Sequence, residues 1–102
     1  MSAQQKQKNK SNAKSSVNLS WSDYAWEDYL FWQQSDGKIL NVINGLIKEC
    51  SSTPFKGTGK PEPLKGDLSG YWSRRINREH RLVYMYEDGT LYIIQCRYHY
   101  AK

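Results

Sequence analysis

The 102-residue sequence lacks the features that mark several large classes of protein. Its only two cysteines, Cys50 and Cys96, are too few for the disulfide framework of a small secreted domain. They are expected to be reduced thiols that pack as small core residues. No apolar run approaches the ~20 residues that a membrane span needs, and no Walker loop, dinucleotide-binding glycine loop or serine-nucleophile motif is present. These absences predict a small cytoplasmic domain with no cofactor and no membrane contact.

Acidic residues are also missing from the first part of the chain. Residues 1–18 carry four lysines and no acid, residues 19–53 carry two basic and five acidic residues, and residues 54–102 carry nine basic and five acidic residues. Residues 1–16 contain too few apolar side chains to offset the entropy of folding, which predicts a disordered basic tail. A solubilising extension is the favoured interpretation of this tail, with a nucleic-acid-binding arm as the alternative. Residues 17–102 are predicted to form a single domain.

Hydrophobic periodicity predicts an α+β fold with the element order β-α-α-β-β-β. Residues 17–21 are typical of a first strand, and Ser22 is a typical N-cap for a first helix. The break at residues 35–37 separates this helix from a second one, which indicates a helical hairpin. In the first helix, helical spacing relates Trp26, Tyr29, Leu30 and Gln33, with Trp32 flanking them. The apolar stripe of the second helix is formed by Ile39, Val42, Ile43, Leu46, Ile47 and Cys50.

Proline and glycine are frequent in residues 51–69, which are predicted to form a long irregular loop. A loop of this length in a small domain is more often functional than idle. Three strand-like runs follow at residues 71–77, 81–86 and 91–100, and the Asp88-Gly89 pair is a strong hairpin signal between the last two. Together they predict a mostly antiparallel sheet with the helical hairpin on one face.

The last predicted strand becomes polar toward its end. Strict alternation would place Leu91, Ile93, Gln95, Arg97 and His99 on one face. The register of the other two strands stays open at this point, because a single bulge would exchange their faces.

The second half of the chain contains a set of side chains that could cleave RNA. Glu62 lies in the long loop and His99 near the chain end. The basic residues around them are Lys60, Lys65, Arg74, Arg75, Arg81 and Arg97, and the interleaved aromatic residues are Tyr71, Trp72, Tyr98 and Tyr100. In such a set a carboxylate takes the proton of a ribose 2′-OH, arginines stabilise the charge that grows on the phosphoryl oxygens, and a histidine protonates the leaving oxygen. Aromatic rings can stack on unpaired bases.

Each of these residues also has a simpler interpretation. Glu62 could be a solvated surface carboxylate, and His99 could be an ordinary surface histidine. The strand arginines could pair with acids such as Glu79 or Glu87. Composition and spacing leave these alternatives open.

Other notable residues favour structural roles. A zinc site would need Cys50, His80, Cys96 and His99 to converge, and their spacing matches no ordinary zinc module, so no metal site is predicted. His80 itself is expected to be structural, in a turn or at a strand edge. The tryptophans of the helical region are expected in the core or in a dimer interface; they are Trp21, Trp26 and Trp32.

Several segments together resemble one known family. The run TPFKGTGKPEPLKGDLSGYWSRRINREHRLVY, the terminal CRYHY and the upstream LSWSDYAWEDYLFWQQSD are similar to the YoeB/Txe toxins of bacterial type II toxin–antitoxin systems, within the RelE superfamily. The resemblance covers residues 19–100. It implies a microbial-ribonuclease-like fold and metal-independent cleavage of messenger RNA in the ribosomal A site, leaving a 2′,3′-cyclic phosphate. It also implies inhibition by a YefM/Phd-type antitoxin.

The resemblance further implies roles for single residues. Glu62 of PEPLK would be the general base, His99 of CRYHY the general acid, and Arg81 of EHR the group that stabilises the phosphoryl transition state. The residues that would contact substrate are Lys65, Arg75 and Tyr100, with Lys60, Arg74 and Arg97 as possible supporting residues.

Two functions from different classes fit these residues. The first is a ribosome-dependent endoribonuclease that acts as a toxin, and the alternative is a non-catalytic RNA- or partner-binding module, for which arginine-rich strands and a basic tail would also serve. A basic cleft would also accept an acidic antitoxin segment that folds upon it. A homodimer through the helical face or the tryptophan-bearing first helix is expected.

Overall fold

The computed structural model describes residues 17–99. The predicted basic tail, residues 1–16, and residues 100–102 lie outside this range. The elements, in chain order, are β1 (Asn18–Trp21), α1 (Asp23–Ser35), α2 (Gly37–Cys50), β2 (Glu62–Pro63), a 3₁₀ turn (Gly66–Leu68), β3 (Trp72–Arg75), β4 (Arg81–Glu87) and β5 (Thr90–Gln95). The predicted order of two helices and four strands is confirmed, and one further short strand, β2, lies inside the segment predicted to be irregular.

The strands form one five-stranded sheet in the order β1-β5-β4-β3-β2. The outer strand β1 runs parallel to β5, whereas the remaining neighbours are antiparallel, so the predicted mostly antiparallel sheet is confirmed. Ser22 fastens the first helix to this sheet. Its Oγ accepts the Ala25 N–H at 3.0 Å as an N-cap and donates to the Ile94 carbonyl on β5 at 2.6 Å.

The two helices cover one face of the sheet, and the core lies between these layers. It contains Ala25 and Trp32 from α1, Ile43, Leu46 and Cys50 from α2, and Ile76, Leu82, Tyr84, Leu91, Ile93 and Cys96 from the sheet side. Both cysteines are free and buried, as predicted for core thiols. Within residues 17–99, no helix is long and apolar enough to cross a membrane.

The buried face of α1 differs from the one that its aromatic spacing indicates. Trp26, Leu30 and Gln33 are exposed, whereas Ala25 and Trp32 are buried. The burial of Trp32 agrees with the expectation of a core or interface tryptophan. Trp26 lies at the side of the buried face, where its ring packs on Trp21 of the outer strand β1 and on Tyr29 of its own helix. The apolar stripe of α2 fits its prediction better, since only Val42 of its six members is exposed.

A bulge changes the predicted faces of the last strand. Val83 pairs with Gln95, but the next residue, Tyr84, pairs with Ile93, so Ile94 is the extra residue of a β-bulge. The bulge reverses the alternation: Ile93 faces the core, Gln95 does not, and Cys96 returns to the core. The expectation that one face runs unbroken from Leu91 to His99 is therefore wrong.

The predicted strand at residues 91–100 also ends earlier than expected. β5 ends at Gln95, and the chain then follows an irregular path in which Tyr98 has a φ of +63°. β3 is likewise shorter than its predicted run, because it ends at Arg75 before the turn that leads into β4.

The guanidinium of Arg74 organises the long loop between α2 and β3. This side chain is fully buried and pairs with Glu49 at the end of α2, with 2.9 Å between Nη1 and Oε1. Further donated bonds reach the backbone carbonyls of Thr53, Lys56 and Thr58, and Nε donates to the Tyr84 hydroxyl. A planar group with five donors can satisfy several inward-facing carbonyls at once. Arg74 therefore replaces the regular secondary structure that the loop lacks.

Gly57 is required where this loop passes over the ion pair. Its φ is +124°, and a Cβ at this position would lie 1.7 Å from the Glu49 carboxylate oxygen. The Thr58 N–H donates to the same oxygen. Glycine thus permits the close approach of the loop backbone to Glu49.

Removal of the Arg74 side chain is expected to destabilise the fold strongly. In Arg74→Ala, the Tyr84 hydroxyl, the Glu49 carboxylate and three loop carbonyls lose a donor, and each acceptor that stays buried without a partner costs about 1–3 kcal/mol. Urea denaturation followed by tryptophan fluorescence measures this loss. Arg75→Ala is the matched control, because Arg75 is exposed on the other face and surface truncations stay within about 0.5 kcal/mol. Equal stability of the two variants would contradict the assigned role.

The same contacts predict an acid-sensitive contribution to stability. The Thr58 backbone N–H, then the Thr58 side chain and Arg74, lower the pKa of Glu49 from its ordinary value of 4.5. A lowered folded-state pKa adds stability above the unfolded value, and this stability is lost as pH falls through the folded value. The parent is therefore expected to unfold at higher urea concentration than Glu49→Gln at neutral pH, and the gap should narrow below pH 4.5. A gap that widens with acidification would contradict this assignment.

Candidate active site

Glu62 lies on the face of the sheet that points away from the helices. It stands directly opposite Ser73, Ser73 opposite Val83, and Val83 opposite Gln95. Residues directly opposite one another share a face, with Cβ atoms about 4.5–5.5 Å apart. Because the alternating positions Leu82 and Tyr84 belong to the helix-side core, this row lies on the opposite face, here called the open face. Ser73 and Val83 are buried within the row, and Glu62 is exposed at its end. The strand β2 thus brings the loop carboxylate onto the sheet.

A second row on the open face is cationic. Arg75 stands directly opposite Arg81, two residues along β3 and β4 from the row that contains Glu62. Lys60 is exposed and follows Gly59, whose carbonyl accepts the Arg75 N–H at 2.7 Å. Like charges placed opposite one another destabilise a sheet. An anion bound between these side chains would remove that repulsion, so the row has the character of a phosphate site.

The guanidinium of Arg81 is held in one orientation by the preceding turn. Its Nη1 donates to the carbonyls of Asn77 at 2.9 Å, Arg78 at 3.3 Å and His80 at 3.1 Å. A planar guanidinium matches the geometry of phosphate oxygens. All three bonds use Nη1, so the carbonyls of the turn orient the guanidinium by contacts to this one nitrogen.

The segment that carries His99 runs beside the start of β4. The backbone N–H of Arg81 donates to the Tyr98 carbonyl at 3.0 Å, so His99 directly follows the residue that is bonded to Arg81. Both His99 and Glu62 are exposed. Strand pairing and this backbone bond therefore bring Glu62, Arg75, Arg81 and His99, which are distant in the sequence, to one region of the sheet.

A cavity of about 350 Å³ adjoins this region on the side of α1. Its lining residues are Tyr24, Asp28, Gln95, Arg97, Tyr98 and His99. Burial raises the pKa of Asp28, although the Cys96 N–H and the Arg97 charge oppose the shift. Arg97 lies 3.5 Å from the ring centroid of Phe31 and 4.6 Å from that of Tyr98. Cation–π contacts of this kind hold the chain segment that leads to His99.

The sequence-predicted site residues fall into three groups. The open face of the sheet and the adjoining chain end bring together Lys60, Glu62, Arg75, Arg81 and His99. Lys65 is exposed two residues after β2, and Arg97 lies at the cavity. Arg74 is not brought to the site: it is buried on the helix side with Glu49. It therefore has a structural role rather than a supporting one, and its partner is neither Glu79 nor Glu87. Tyr100 lies outside the described residues.

One residue near the site, Asp28, was missed by sequence reasoning. Asp28 accepts the Cys96 N–H at 3.1 Å and lines the cavity beside Tyr24. An acidic residue in the first half of a helix is common, because it interacts favourably with the helix dipole, so Asp28 did not stand out. Its spacing from Ala25 and Trp32 could have indicated its position, since it places Asp28 at the edge of the buried face. His80, predicted to be structural, is indeed buried and ends the turn before β4.

The buried thiols show no sign of metal binding or nucleophilic activity. Burial raises the pKa of Cys96 to about 12 and also raises that of Cys50, so both thiols stay protonated, whereas a thiolate is the reactive form. Among residues 17–99, no group of three His, Cys, Asp or Glu side chains is arranged to hold a metal ion.

The sequence and the fold of this chain are similar to those of known bacterial toxins. Residues 21–100 match a family model described as the YoeB-like toxin of bacterial type II toxin–antitoxin systems. Toxin YoeB of Escherichia coli strain K12 is 58% identical over 84 residues, which is 82% of this chain and 100% of that protein. A YoeB/ParE toxin from Agrobacterium tumefaciens has a similar structure, with a TM-score of 0.80 and 53% identity over 82% of this chain and 100% of that one.

Structures from Staphylococcus aureus show two assemblies of a similar protein. One is a YoeB dimer, with a TM-score of 0.77 and 48% identity. The other is a YoeB–YefM complex, with a TM-score of 0.77 and 47% identity. In both cases the match covers 82% of this chain and 98% of the other.

Proposed function

The chain belongs to the YoeB-like toxins of bacterial type II toxin–antitoxin systems, and from this membership we propose that it is a ribosome-dependent endoribonuclease that cleaves messenger RNA in the ribosomal A site. One observation carries the proposal. An acidic residue, Glu62, and a histidine, His99, flank a cationic row formed by Arg75 and Arg81 on an open sheet face. A carboxylate, a histidine and a phosphate-binding row are the parts that metal-independent cleavage requires.

In the proposed reaction the ribose supplies the nucleophile. Glu62 takes the proton of the 2′-OH, and the 2′-oxygen forms a bond to the adjacent phosphorus. The bond between phosphorus and the 5′-oxygen breaks as His99 donates a proton to that oxygen. The products are a 2′,3′-cyclic phosphate and a free 5′-OH, and no metal ion takes part in these steps.

The cationic residues bind and stabilise the phosphoryl group in this proposal. Arg81 is already oriented by its turn, so it can meet the growing negative charge without first being ordered. Arg75 and Lys65 contact phosphates of the message, and Lys60 supports them. Tyr100 helps to place the substrate. The ribosome holds the message in the extended, unpaired form that an exposed site of this kind needs.

The partner we propose for the free toxin is a YefM-type antitoxin in the cytoplasm. The support comes from the YoeB–YefM complex of the S. aureus protein and from the charge of the open face. An acidic segment that folds across the row of Arg75 and Arg81 would relieve their repulsion and cover the site at the same time.

We further propose a homodimer formed through an aromatic surface at the end of the sheet. This surface consists of Trp21, Trp26 and Tyr29. Trp26 stacks on Tyr29 with 5.9 Å between ring centroids, and Trp21 lies 4.9 Å from Tyr29. Trp26 is 47% exposed, and a contiguous patch of exposed apolar rings is typical of an interface. The YoeB dimer of S. aureus supports this assembly.

Loss of either proton-transfer group is expected to abolish most of the cleavage. Glu62→Gln and His99→Ala should each lower the rate constant for cutting a message on programmed ribosomes by about 10²–10⁴-fold. Arg81→Ala should fall in the same range, because it removes transition-state stabilisation. The readout is primer extension on the cleaved message, with growth arrest on induction as a cellular measure.

Matched controls separate catalysis from charge. Glu87→Gln and Arg78→Ala change exposed residues of the same types and should retain the parental rate within about twofold. If the parent binds RNA in a salt-dependent way but leaves messages intact, the chain is the non-catalytic binding module instead. If His99→Ala is as toxic as the parent, the assignment of the general acid is wrong.

Disruption of the aromatic surface is expected to yield monomers. In Trp26→Glu, a charge replaces a ring that would be buried between protomers, so sedimentation at micromolar concentration should shift from dimer to monomer. Val42→Ser is the control, because Val42 is an exposed apolar residue on α2 outside this surface. A parental protein that sediments as a monomer, or a Trp26→Glu dimer, would contradict the proposed interface.

A further inference from the structure

The four residues from Cys96 to His99 are held by contacts from other elements rather than by strand pairing. The Cys96 N–H donates to Asp28 at 3.1 Å, and the Cys96 carbonyl accepts from the indole of Trp32 at 2.8 Å. The Tyr98 N–H donates to Nδ1 of His80 at 2.7 Å, and the Tyr98 carbonyl accepts from the Arg81 N–H at 3.0 Å. These four bonds fix the backbone at Cys96 and at Tyr98, on both sides of Arg97.

Among these partners, His80 directly precedes Arg81 in the chain and bonds the residue before His99. Its ring is buried, at 6% exposure, and meets the Trp32 ring edge-to-face with 4.7 Å between centroids. Its own backbone is fixed as well, since its N–H donates to the Asn77 side chain at 2.7 Å and its carbonyl accepts from the Ile76 N–H at 3.0 Å. Contacts other than the bond to Tyr98 therefore hold both the ring and the backbone of His80 in place.

The bond from His80 fixes a backbone conformation that is otherwise unfavourable. Tyr98 has a φ of +63°, a left-handed conformation that a residue with a Cβ adopts only when its surroundings impose it. Nδ1 of His80 accepts from the N–H of Tyr98, and the N–H of Arg81 donates to its carbonyl, so both backbone groups of the residue before His99 are bonded. Because His80 and Arg81 are consecutive, one turn sets both the guanidinium and the chain that presents the imidazole.

We propose that His80 is a positioning residue that places His99 for proton donation, by accepting the Tyr98 N–H at Nδ1. The acceptor role puts the ring proton on Nε2, which lies 3.3 Å from Glu79 Oε1. The consequence for cleavage rests on the proposed ribonuclease function, whereas the contact itself does not. His80 would act through the backbone of the neighbouring segment and would not touch substrate.

The test compares variants that separate the ring from its acceptor. His80→Phe keeps a ring against Trp32 but removes the acceptor. His80→Asn places a carbonyl oxygen near the position of Nδ1, and His80→Gln extends its amide toward the position of Nε2. Glu79→Gln is the control, because Glu79 contacts only the Nε2 side of the ring and is exposed.

Two measurements are made on each full-length variant. Hydrogen exchange of the Tyr98 amide, followed by NMR, should be about tenfold faster in His80→Phe, and near the parental rate in His80→Asn and Glu79→Gln. In the ribosomal cleavage assay, kcat of His80→Phe should fall by about 10²-fold with KM nearly unchanged, since a displaced catalytic group affects the transition state and not binding. His80→Asn should recover most of this loss, and His80→Gln should not.

The outcomes separate the two proposals. Parental exchange and parental kcat in His80→Phe would overturn the role of His80, as would equal losses of kcat in the Asn and Gln variants. If the parent cleaves no message, the ribonuclease proposal fails, and the exchange rates alone decide whether His80 holds Tyr98. If His80→Phe does not fold, the Asn and Gln variants carry both comparisons.

Discussion

The buried guanidinium of Arg74 is the interaction on which the arrangement of the site depends. The chain between α2 and β3 has little regular structure of its own, and its carbonyls at Thr53, Lys56 and Thr58 turn inward toward this one side chain. Glu49 balances the charge and ties the network to the end of α2. Burial raises the pKa of the Tyr84 hydroxyl to about 12, so Tyr84 remains an uncharged partner. The folded loop then delivers Glu62 to the edge of the sheet. A structural arginine on one face thereby makes an acidic residue available on the other.

The sheet divides its residues between two different tasks. Its helix side holds the apolar core, and its open side holds a row of charges whose mutual repulsion the fold tolerates. Arg74 and Arg75 are neighbours in sequence, yet alternation sends the first into the core and the second to the open face. The bulge at Ile94 lets β5 supply core residues before it and an open-face residue, Gln95, after it. Beyond this point the chain leaves the sheet and depends on contacts from Asp28, Trp32 and His80.

Features of the fold that depend on residues close in sequence were predicted better than features that depend on distant residues. Elements defined by local signals were predicted well: the Ser22 cap, the stripe of α2 and the Asp88-Gly89 hairpin all depend on residues close in sequence. The buried face of α1 was predicted less well, because large rings can pack either on the sheet or on each other. The end of β5 was also missed, since a bulge depends on its partner strand. For the site, the resemblance to a toxin family nominated Glu62, Arg81 and His99, whereas composition alone did not separate Arg74 from Arg75 or Arg81.

The sequence by itself determined the order of elements, the family and the residue types available for chemistry, because periodicity, caps and motifs are properties of short segments. Only the tertiary structure decided which arginine is buried, which face carries Glu62, and which groups hold the chain before His99. These outcomes depend on strand register and on contacts such as that of His80 with Tyr98, 18 positions apart. A shift of register by one residue sends each side chain to the opposite face. Local sequence therefore supplied the groups, and long-range pairing decided which of them meet.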